Sequence, residues 1–340
     1  MFGTLLGWFS SYLTNRRQQV KIGRFLSKEI KVVSGVPQGS HLAPILFLIF
    51  INDLIHWLRY SRGHLFADDL KICRIIKSLE DCMKLQEDLN AVSKWCQLNG
   101  MQLNVSKCFV VRFHRVKQTI QFDYSLNDTS LESKSEVKDL GVYFDSNLNF
   151  NFHVNFIVNK ALKLLGFIKR ILQDFSNINC FKTLFCSYIR SVLEYACQVW
   201  SPFYDQYIQQ IERVQKKFVR FVAFKMGIAS EDVVYEDVLK SINLIPLKDR
   251  RSYIDMRTFY KILNGLIDCP ELLSLIGINV PQRALREHNL FNVPLHRTNY
   301  GLSSSLTRFS NTANRLAING DIDFFNDSLK VFSTKTKNTL

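Results

Sequence analysis

Two adjacent carboxylates, Asp68 and Asp69, are the side chains in this sequence best suited to chemistry. They follow Phe66 and Ala67, and the flanking apolar residues predict a tight hairpin over Gly63–Ile76 with both acids at its tip. Adjacent negative charges repel unless water or a cation screens them, and Mg²⁺ prefers carboxylate oxygens as ligands. Two such ions about 4 Å apart would hold the attacking and leaving oxygens of a phosphoryl transfer. The alternative is a solvated turn, because Asp is common in turns.

A second candidate site is the segment Ser34–Ser40, SGVPQGS, which precedes the hairpin. Its two glycines and its proline predict a loop rather than a regular element. Gly35 and Gly39 would let the backbone approach a ligand closely, and Gln38 offers hydrogen bonds to a base or a sugar. A plain connection between a strand and a helix explains the same residues.

The elements that must position these residues follow from hydrophobic periodicity. His41–Leu58 is predicted to be a deeply buried helix, because it is apolar nearly all round and has Pro44 near its start. Its apolar run Leu42–Ile51 is about half the length that crosses a bilayer, so no membrane span is expected. Leu79–Asn99 is predicted to be an amphipathic helix that Gly100 ends.

The remaining pattern changes along the chain. A helix is predicted over Gly3–Leu13, and strands are predicted over Gln19–Phe25 and Ile30–Val33 and around Cys108–His114, Thr119–Leu126 and Val137–Phe144. After about residue 150 only helices are expected: Phe152–Leu172, Ile178–Tyr195, Tyr204–Phe224 and others up to about Leu266. The fold class is therefore α+β, followed by helical regions.

Composition indicates a class of partner. The 340 residues contain 44 Lys and Arg against 30 Asp and Glu, a net charge of +14. Such a chain attracts polyanions, nucleic acid first and anionic membranes second. The eight cysteines form no C-x-x-C pair, which argues against a zinc ribbon; they are interpreted as small buried side chains in a reducing, intracellular compartment, nucleus or cytoplasm. No secretory signal is expected at the N-terminus.

In this order, the loop, apolar helix, Asp-Asp hairpin, amphipathic helix and strands resemble the reverse transcriptase of non-LTR, LINE-type retrotransposons of the jockey group. The motifs that carry this resemblance are SGVPQGSHLAPILFLIFINDL, FADD, WCQLNGMQLNVSKC and LGVYFDSNLNF, and it continues through NKALKLLGFIKR, IRSVLEYACQVWSP, IERVQKKFVRF and YKILNG. The resemblance implies an incomplete polymerase palm, an antiparallel sheet with packed helices, over 1–150. An all-α thumb over 151–230 and a C-terminal helical region over 231–340 would follow.

The resemblance also implies roles for individual residues. Asp68 and Asp69 would be catalytic metal ligands, and Lys107 would assist departure of pyrophosphate. The incoming nucleotide and template would contact a substrate set: Ser34, Gly35, Pro37, Gln38, Gly39, Phe66 and Ala67. Primer and template would contact a second set: Leu140, Gly141, Val142, Arg213, Lys216, Lys217 and Arg220. Lys107 as a solvated lysine, 140–142 as a packed hairpin and the basic residues as an ordinary exposed helix face remain alternatives.

The implied activity is RNA-directed DNA synthesis, in which deoxynucleoside triphosphates extend a DNA primer on an RNA template with two Mg²⁺ ions, or Mn²⁺ in their place. The family has a third catalytic Asp on an upstream strand, and no residue before Leu42 matches it. We therefore expect this chain alone to be inactive. The alternative is a truncated remnant, or a domesticated protein, that at most binds nucleic acid. The oligomeric state and the role of residues 270–340 are left open.

Overall fold

The computed structural model describes residues 3–115, 119–280, 289–319 and 322–340. The chain forms two compact units, Met1–Lys134 and Ser135–Leu340, which we call the N-terminal and C-terminal units. This boundary does not coincide with the predicted divisions at residues 150 and 230. The division into palm, thumb and C-terminal region by function stays a prediction.

The described part of the N-terminal unit combines three helices with short strands. The helices are α1 (Thr4–Leu13), α2 (Ala43–Ile51) and α3 (Leu79–Leu98). The strands are β1 (Arg17–Gln18), β2 (Lys21–Ile22), β3 (Phe25–Leu26), β4 (Ile30–Lys31), β5 (Arg62–Phe66), β6 (Asp69–Cys73), β7 (Phe109–Val111), β8 (Ser125–Leu126), β9 (Thr129–Ser130) and β10 (Glu132–Lys134). Turns of 3₁₀-helix cover Leu54–Trp57 and Val105–Lys107.

These strands pair two by two. The antiparallel pairs are β1–β4, β2–β3, β5–β6 and β8–β9, while β7 and β10 are parallel. A continuous antiparallel palm sheet was therefore not found among the described residues. Most of the strands are only two or three residues long. Such strands offer too few main-chain groups to join a wider sheet.

Helix α2 corrects a prediction. It covers nine residues rather than the whole of His41–Leu58, and a 3₁₀ turn follows it. It is not deeply buried, because Ile45 is 54% and Ile49 63% exposed. A helix that is apolar on every side needs neighbours on every side. Within the N-terminal unit, only the side with Phe47 and Ile51 packs into the core.

The core of the N-terminal unit lies between α3 and the segment that follows α2. Its buried members are Ile51, Leu54, Val92, Trp95 and Cys96. Leu65, Leu70 and Ile72 of the β5–β6 hairpin pack against it. The predicted apolar stripe of α3 is confirmed in Cys82, Val92 and Cys96, which are at most 3% exposed.

In its described residues the C-terminal unit is mainly helical. Its helices are α4 (Asn151–Ile171), α5 (Ile178–Leu184), α6 (Ser191–Glu194), α7 (Cys197–Trp200), α8 (Asp205–Lys225), α9 (Tyr235–Ser241), α10 (Leu247–Leu263), α11 (Pro270–Leu273), α12 (Asn299–Ser303), α13 (Ser305–Asn319) and α14 (Leu329–Thr339). A π-helical turn, Phe185–Arg190, joins α5 to α6. The strands are β11 (Glu136–Asp139), β12 (Val142–Asp145), β13 (Gly277–Ile278) and β14 (Phe291–Asn292).

The predicted helices over residues 152–224 are confirmed, with small differences at their ends. The expectation of helices only beyond residue 150 was wrong, because β13 and β14 pair there. Two-residue strands carry no detectable period in the sequence. Residues 283–312 show little clear hydrophobic periodicity in the sequence, yet their described part contains α12 and the start of α13. Residues 283–288 lie outside the described residues.

Two further sequence expectations concern cysteines and membranes. All eight cysteines are free, but only Cys82, Cys96 and Cys197 are fully buried, and Cys73 is exposed. Among the described residues, no helix is both long enough and apolar enough to span a bilayer.

Candidate active site

The Asp-Asp motif lies on the β5–β6 hairpin, as predicted. Leu65 pairs with Leu70 and Phe66 with Asp69, so the two-residue turn is Ala67–Asp68. The turn thus lies one residue earlier than the predicted tip at Asp68–Asp69, and Asp69 is the first residue of β6. Ala67 has φ = 52°, in the left-handed region that glycine tolerates best. A non-glycine residue at such an angle stores strain, which is a feature of many functional turns.

Both carboxylates are available to a ligand. Asp68 and Asp69 are exposed, and within the described residues neither side chain makes a hydrogen bond or an ion pair. Two unpaired hard-oxygen donors side by side suit a divalent cation as two of its several ligands. No third Asp, Glu, His or Cys joins them in a metal-binding group among the residues that the structure describes. Phe66, which precedes the turn, is 62% exposed.

The base of the hairpin lies against the 3₁₀ turn that follows α2. A Cβ added at Gly63 would stand 2.5 Å from Leu58 Cδ1 and 3.2 Å from Ile55 Cγ2. Glycine at this position therefore lets strand β5 lie directly on that turn. The hairpin is held from below by this contact, and its acidic end projects from the core.

Helix α3 fixes the two ends of the hairpin through acidic side chains. Arg74, directly after β6, donates to Asp81 Oδ1 at 2.7 Å and also to the main-chain oxygen of Tyr60. Asp81 further accepts the backbone N–H groups of Lys77 and Ser78, the two residues that precede α3. Hydrogen bonds from the Lys77 N–H and from Arg74 lower the pKa of Asp81 to about 2. The carboxylate is therefore charged at neutral pH.

About two helical turns after Asp81, Asp88 of α3 holds the chain that enters β5. It is 1% exposed, and its Oδ1 accepts the backbone N–H of Arg59 at 2.8 Å. Its Oδ2 accepts the N–H of Tyr60 at 3.1 Å. A buried carboxylate satisfied by main-chain donors fixes the position of that main chain.

Asp81, Asp88 and Trp95 lie seven residues apart on one face of α3. Trp95 extends the same arrangement, because its Nε1 donates to Asp53 Oδ1 at 3.1 Å just after α2. Sequence analysis missed this role. A signal was available in the sequence: Asp81 and Asp88 alternate with the apolar residues Leu85 and Val92 at steps of four and three residues, which places them on one face of α3.

The SGVPQGS segment is a loop, as predicted, and residues of α1 and of the segment after it help to hold it. Arg16 donates to Ser34 O at 3.3 Å and also to Gly35 O. At the other end, Tyr12 donates its hydroxyl proton to Ser40 Oγ at 2.6 Å, and Ser40 Oγ accepts the N–H of Ala43 at 3.1 Å. These contacts were not predicted from the sequence.

The glycines of the loop are required by backbone conformation. Gly35 has φ = 79° and Gly39 has φ = 82°, and an added Cβ at either would meet no atom within 4 Å. Open space beside both glycines is compatible with close approach of a ligand. Ser34 and Gln38 are exposed, and Pro37 is half-buried. The loop leads into α2, which shares a core with the β5–β6 hairpin.

Lys107 is exposed at the end of the 3₁₀ turn Val105–Lys107, before strand β7. Its side chain makes no hydrogen bond or ion pair within the part of the chain that the structure describes. The described contacts do not link it to Asp68 or Asp69. Its role stays a prediction.

In the C-terminal unit, Leu140–Gly141–Val142 form the turn and first strand residue of the β11–β12 hairpin. Both turn residues have positive φ, 42° and 88°, which is the pattern of a type I′ turn. The main-chain oxygen of Leu140 accepts a hydrogen bond from the Tyr195 hydroxyl at 2.9 Å. Val142 is buried, so it supports the hairpin from within.

The same hairpin is tied to α4 by His153. The N–H of Tyr143 donates to His153 Nδ1 at 3.2 Å, and the imidazole meets Trp200 edge to face at 5.0 Å. His153 Nε2 is buried and makes no hydrogen bond. Burial lowers the pKa of this histidine to about 4, so the ring is neutral near pH 7.

The basic residues of α8 lie on its outer side. Arg213, Lys216 and Arg220 are exposed and Lys217 is half-buried, while Ile211, Val214 and Phe218 face the core. Lys216 Nζ stands 5.5 Å from the centre of the Tyr235 ring. The predicted two-sided character of α8 is confirmed, and the binding of nucleic acid by its outer side stays a prediction.

Comparison with known proteins gives these residues a family. Residues 1–167 match the family described as reverse transcriptase (RNA-dependent DNA polymerase). This range contains the SGVPQGS loop, the Asp-Asp hairpin, Lys107 and the β11–β12 hairpin. The mixture of helices and short strand pairs is compatible with the palm and thumb that this family implies.

Three relatives are named as polymerases, or probable polymerases, of mobile elements. The chain is 26% identical over 223 residues to the probable RNA-directed DNA polymerase from transposon X-element of Drosophila melanogaster, covering 64% of this chain and 24% of that protein. It is 23% identical over 230 residues to the corresponding probable polymerase from transposon BS of the same species, covering 64% and 25%. The RNA-directed DNA polymerase from mobile element jockey of D. melanogaster is 24% identical over 223 residues, covering 63% and 24%.

The chain thus spans about a quarter of the length of these curated relatives. No solved structure matches it. The motif residues, the family match and the mobile-element relatives agree: residues 1–167 belong to the reverse transcriptase family, and the chain is similar to those of LINE-type, non-LTR retrotransposons.

Proposed function

We propose that this chain carries part of the active site of an RNA-directed DNA polymerase of a mobile element, which adds deoxynucleotides to a primer 3′-hydroxyl. The observation that carries the proposal is the pair Asp68 and Asp69, exposed and unpaired within the described residues, at a strained turn whose base is fixed by α3. A structural turn has no need of two adjacent charges on a rigid support. A site for phosphoryl transfer does need them.

Reverse transcriptases use divalent metal ions, and we assign Mg²⁺ to the pair Asp68 and Asp69, with Mn²⁺ as a substitute. Bound there, the ions would supply positive charge for the reacting oxygens of primer and nucleotide. Among the residues of the chain itself, the two carboxylates hold the cation and Asp88 keeps their hairpin in place. Lys107 would hold a proton for the leaving pyrophosphate.

The other parts of the chain would bind substrates. The incoming nucleotide and template would contact the substrate set defined above, with the open backbone at Gly35 and Gly39 closest to the ligand. The primer would lie at the β11–β12 hairpin. The α8 face would follow template–primer phosphates. In this assignment 1–150 belong to the palm, 151–230 to the thumb and 231–340 to a C-terminal helical region.

The direct test is metal binding by the chain itself. We expect Mn²⁺, used as a spectroscopic probe, to bind and to be displaced by Mg²⁺. Asp68→Asn and Asp69→Asn should each weaken binding at least tenfold, because each removes a charged oxygen ligand. Asp123→Asn, an exposed acid of the same unit, is the matched control. Equal Mn²⁺ binding by all four proteins would overturn the metal assignment.

Polymerase activity is best tested in the context of a longer relative. We would replace the matching region of the jockey polymerase by this chain and measure Mg²⁺-dependent extension of a DNA primer on an RNA template. Asp68→Asn in the chimera should lower the extension rate by about 10²–10³-fold or more, since one preorganised charge is lost. The Asp123→Asn chimera should extend normally.

The chain by itself is assayed in parallel with the same primer and template. Extension by the 340-residue chain that Asp68→Asn abolishes would reject the alternative of an inactive remnant. Nucleic-acid binding without extension, in both the chain and the chimera, would favour that alternative.

A further inference from the structure

A small cavity in the C-terminal unit is surrounded by positive charge. Its volume is about 250 Å³. Five of the residues around it come from α5, the π-helical turn, α10 and α14: Lys182, Cys186, Arg190, Arg250 and Lys337. Residues 243–245, which connect α9 to α10, supply the rest of the wall. Four of these five side chains carry a positive charge, and no acid among the described residues lines the cavity.

Glu194, which pairs with two of these side chains, neutralises part of this charge. Glu194 accepts Arg250 Nη2 at 2.9 Å, and Arg190 Nε stands 3.9 Å from the same carboxylate. The hydrogen bond to Glu194 raises the pKa of Arg250, so that arginine stays charged at every accessible pH. Lys182 and Lys337 have no ion-pair partner among the described residues.

Four cations around one cavity repel one another, and a single carboxylate cannot offset them. Such an arrangement gains stability when an anion enters. Two guanidinium groups and two ammonium groups supply many N–H donors, the combination that phosphate oxygens favour. Sites that enclose a whole drug-sized ligand usually have about 300–1,000 Å³. A cavity of about 250 Å³ suits a phosphate group without its base and sugar.

We propose that this cavity binds a phosphate group of nucleic acid. The nature of the ligand as nucleic acid rests on the proposed function, whereas the affinity for phosphate rests on the cavity alone. None of the residues around the cavity belongs to the sites predicted from the sequence. The C-terminal helices would thereby contribute a nucleic-acid contact separate from the Asp-Asp hairpin and from the α8 face.

The test uses the full chain and a fluorescent single-stranded RNA. The variant Lys182→Gln/Lys337→Gln removes two charges and leaves the Arg250–Glu194 pair intact. Its matched control is Lys240→Gln/Lys330→Gln, which removes two exposed charges of the same unit that do not line the cavity. We expect the cavity variant to bind RNA roughly tenfold more weakly at 0.1 M salt, with a log–log salt slope shallower by about 0.7. The control should change affinity less than twofold.

Pyrophosphate distinguishes a nucleic-acid contact from a site for a free anion. It should compete with RNA on the parent protein and lose that effect on the cavity variant. Equal weakening of RNA binding in variant and control would overturn the proposal, because net charge alone would explain it. Stabilisation of the parent by pyrophosphate, with RNA affinity unchanged in the cavity variant, would also overturn it in favour of a free-anion site. Neither result depends on polymerase activity, so failure here is separate from failure of the proposed function.

Discussion

The buried carboxylate of Asp88 accepts the backbone N–H of Arg59 at 2.8 Å. This bond joins the middle of α3 to the chain that enters β5, so the position of the Asp-Asp hairpin depends on a side chain 19 residues beyond Asp69. The carboxylate also accepts the next N–H, that of Tyr60. Both donors are main-chain groups, so this contact depends on the side chain of Asp88 and not on the side chains of Arg59 and Tyr60.

We predict that Asp88→Asn lowers the free energy of unfolding of the N-terminal unit by about 2 kcal/mol, the usual worth of a hydrogen bond to a charged group. The amide can accept one of the two N–H groups, but its NH₂ then faces the other donor. Urea unfolding followed by Trp fluorescence measures the change. Glu87→Gln removes a charge from the exposed neighbouring position and should leave the midpoint unchanged. The same midpoint for both variants would mean that Asp88 does not hold the hairpin.

The turn at Ala67 gives a second prediction. At φ = 52°, a β-branched residue is strained far more than alanine, whereas glycine is not strained. Ala67→Val should therefore weaken Mn²⁺ binding at Asp68 and Asp69 several-fold, since it distorts the turn between the strands. Ala67→Gly should bind Mn²⁺ within about twofold of the parent, because glycine adopts this conformation readily. Normal binding by the valine variant would show that the turn geometry does not control the pair.

The sequence predicted those parts of the site in which local pattern decides the structure. Apolar residues flank the turn of the hairpin on both sides, and α3 has a regular apolar stripe. The glycines and proline of SGVPQGS exclude a regular element. The support by Asp88 was not predictable in this way. The position of Asp88 beside the apolar stripe of α3 indicates burial, but only the tertiary structure shows that main-chain donors surround the carboxylate.

The prediction that α2 is deeply buried was wrong for a related reason. Hydrophobicity states how much surface an element can bury, but the surface that is covered depends on the neighbours. Ile49 is as apolar as Ile51, yet it is 63% exposed while Ile51 is 2% exposed. The wide palm sheet was inferred from resemblance, and a resemblance in motifs does not determine how many strands pair. Likewise the family assignment was confirmed, whereas the roles of Lys107 and of the α8 residues are still predictions.

A third prediction concerns acid stability at the β11–β12 hairpin. The folded pKa of His153 is about 4, below the ordinary value of 6.5, because the ring is buried. Between pH 6.5 and 4 the imidazole is protonated in the unfolded chain but not in the folded chain. The free energy of unfolding therefore falls as the pH drops through this range and then levels off. The loss is on the order of 3 kcal/mol for a shift of this size. Above pH 6.5 the histidine contributes no pH dependence.

The measurement is the urea midpoint of the C-terminal unit between pH 7.5 and 4 for the parent and for His153→Gln. The glutamine oxygen can accept the Tyr143 N–H but does not titrate, so the fall between pH 6.5 and 4 should be much smaller in the variant. His41→Gln, at an exposed position of the other unit, is the control for the loss of a histidine. Parallel pH profiles for all three proteins would contradict the assignment to His153.

The last prediction concerns the outer side of α8. Arg213 and Arg220 are exposed two turns apart, and neither belongs to the buried apolar side of the helix, which includes Ile211, Val214 and Phe218. Replacement of these two arginines by glutamine should therefore leave the fold intact and change only the charge. If each arginine contacts one phosphate of a template–primer duplex, the log–log slope of affinity against salt becomes shallower by about 1.8, or about 0.9 for each contact. Binding to a short RNA–DNA duplex at several salt concentrations gives this slope. Lys240→Gln/Lys330→Gln removes the same charge elsewhere in the unit, and a slope change as large in that control would mean that α8 has no special part in binding.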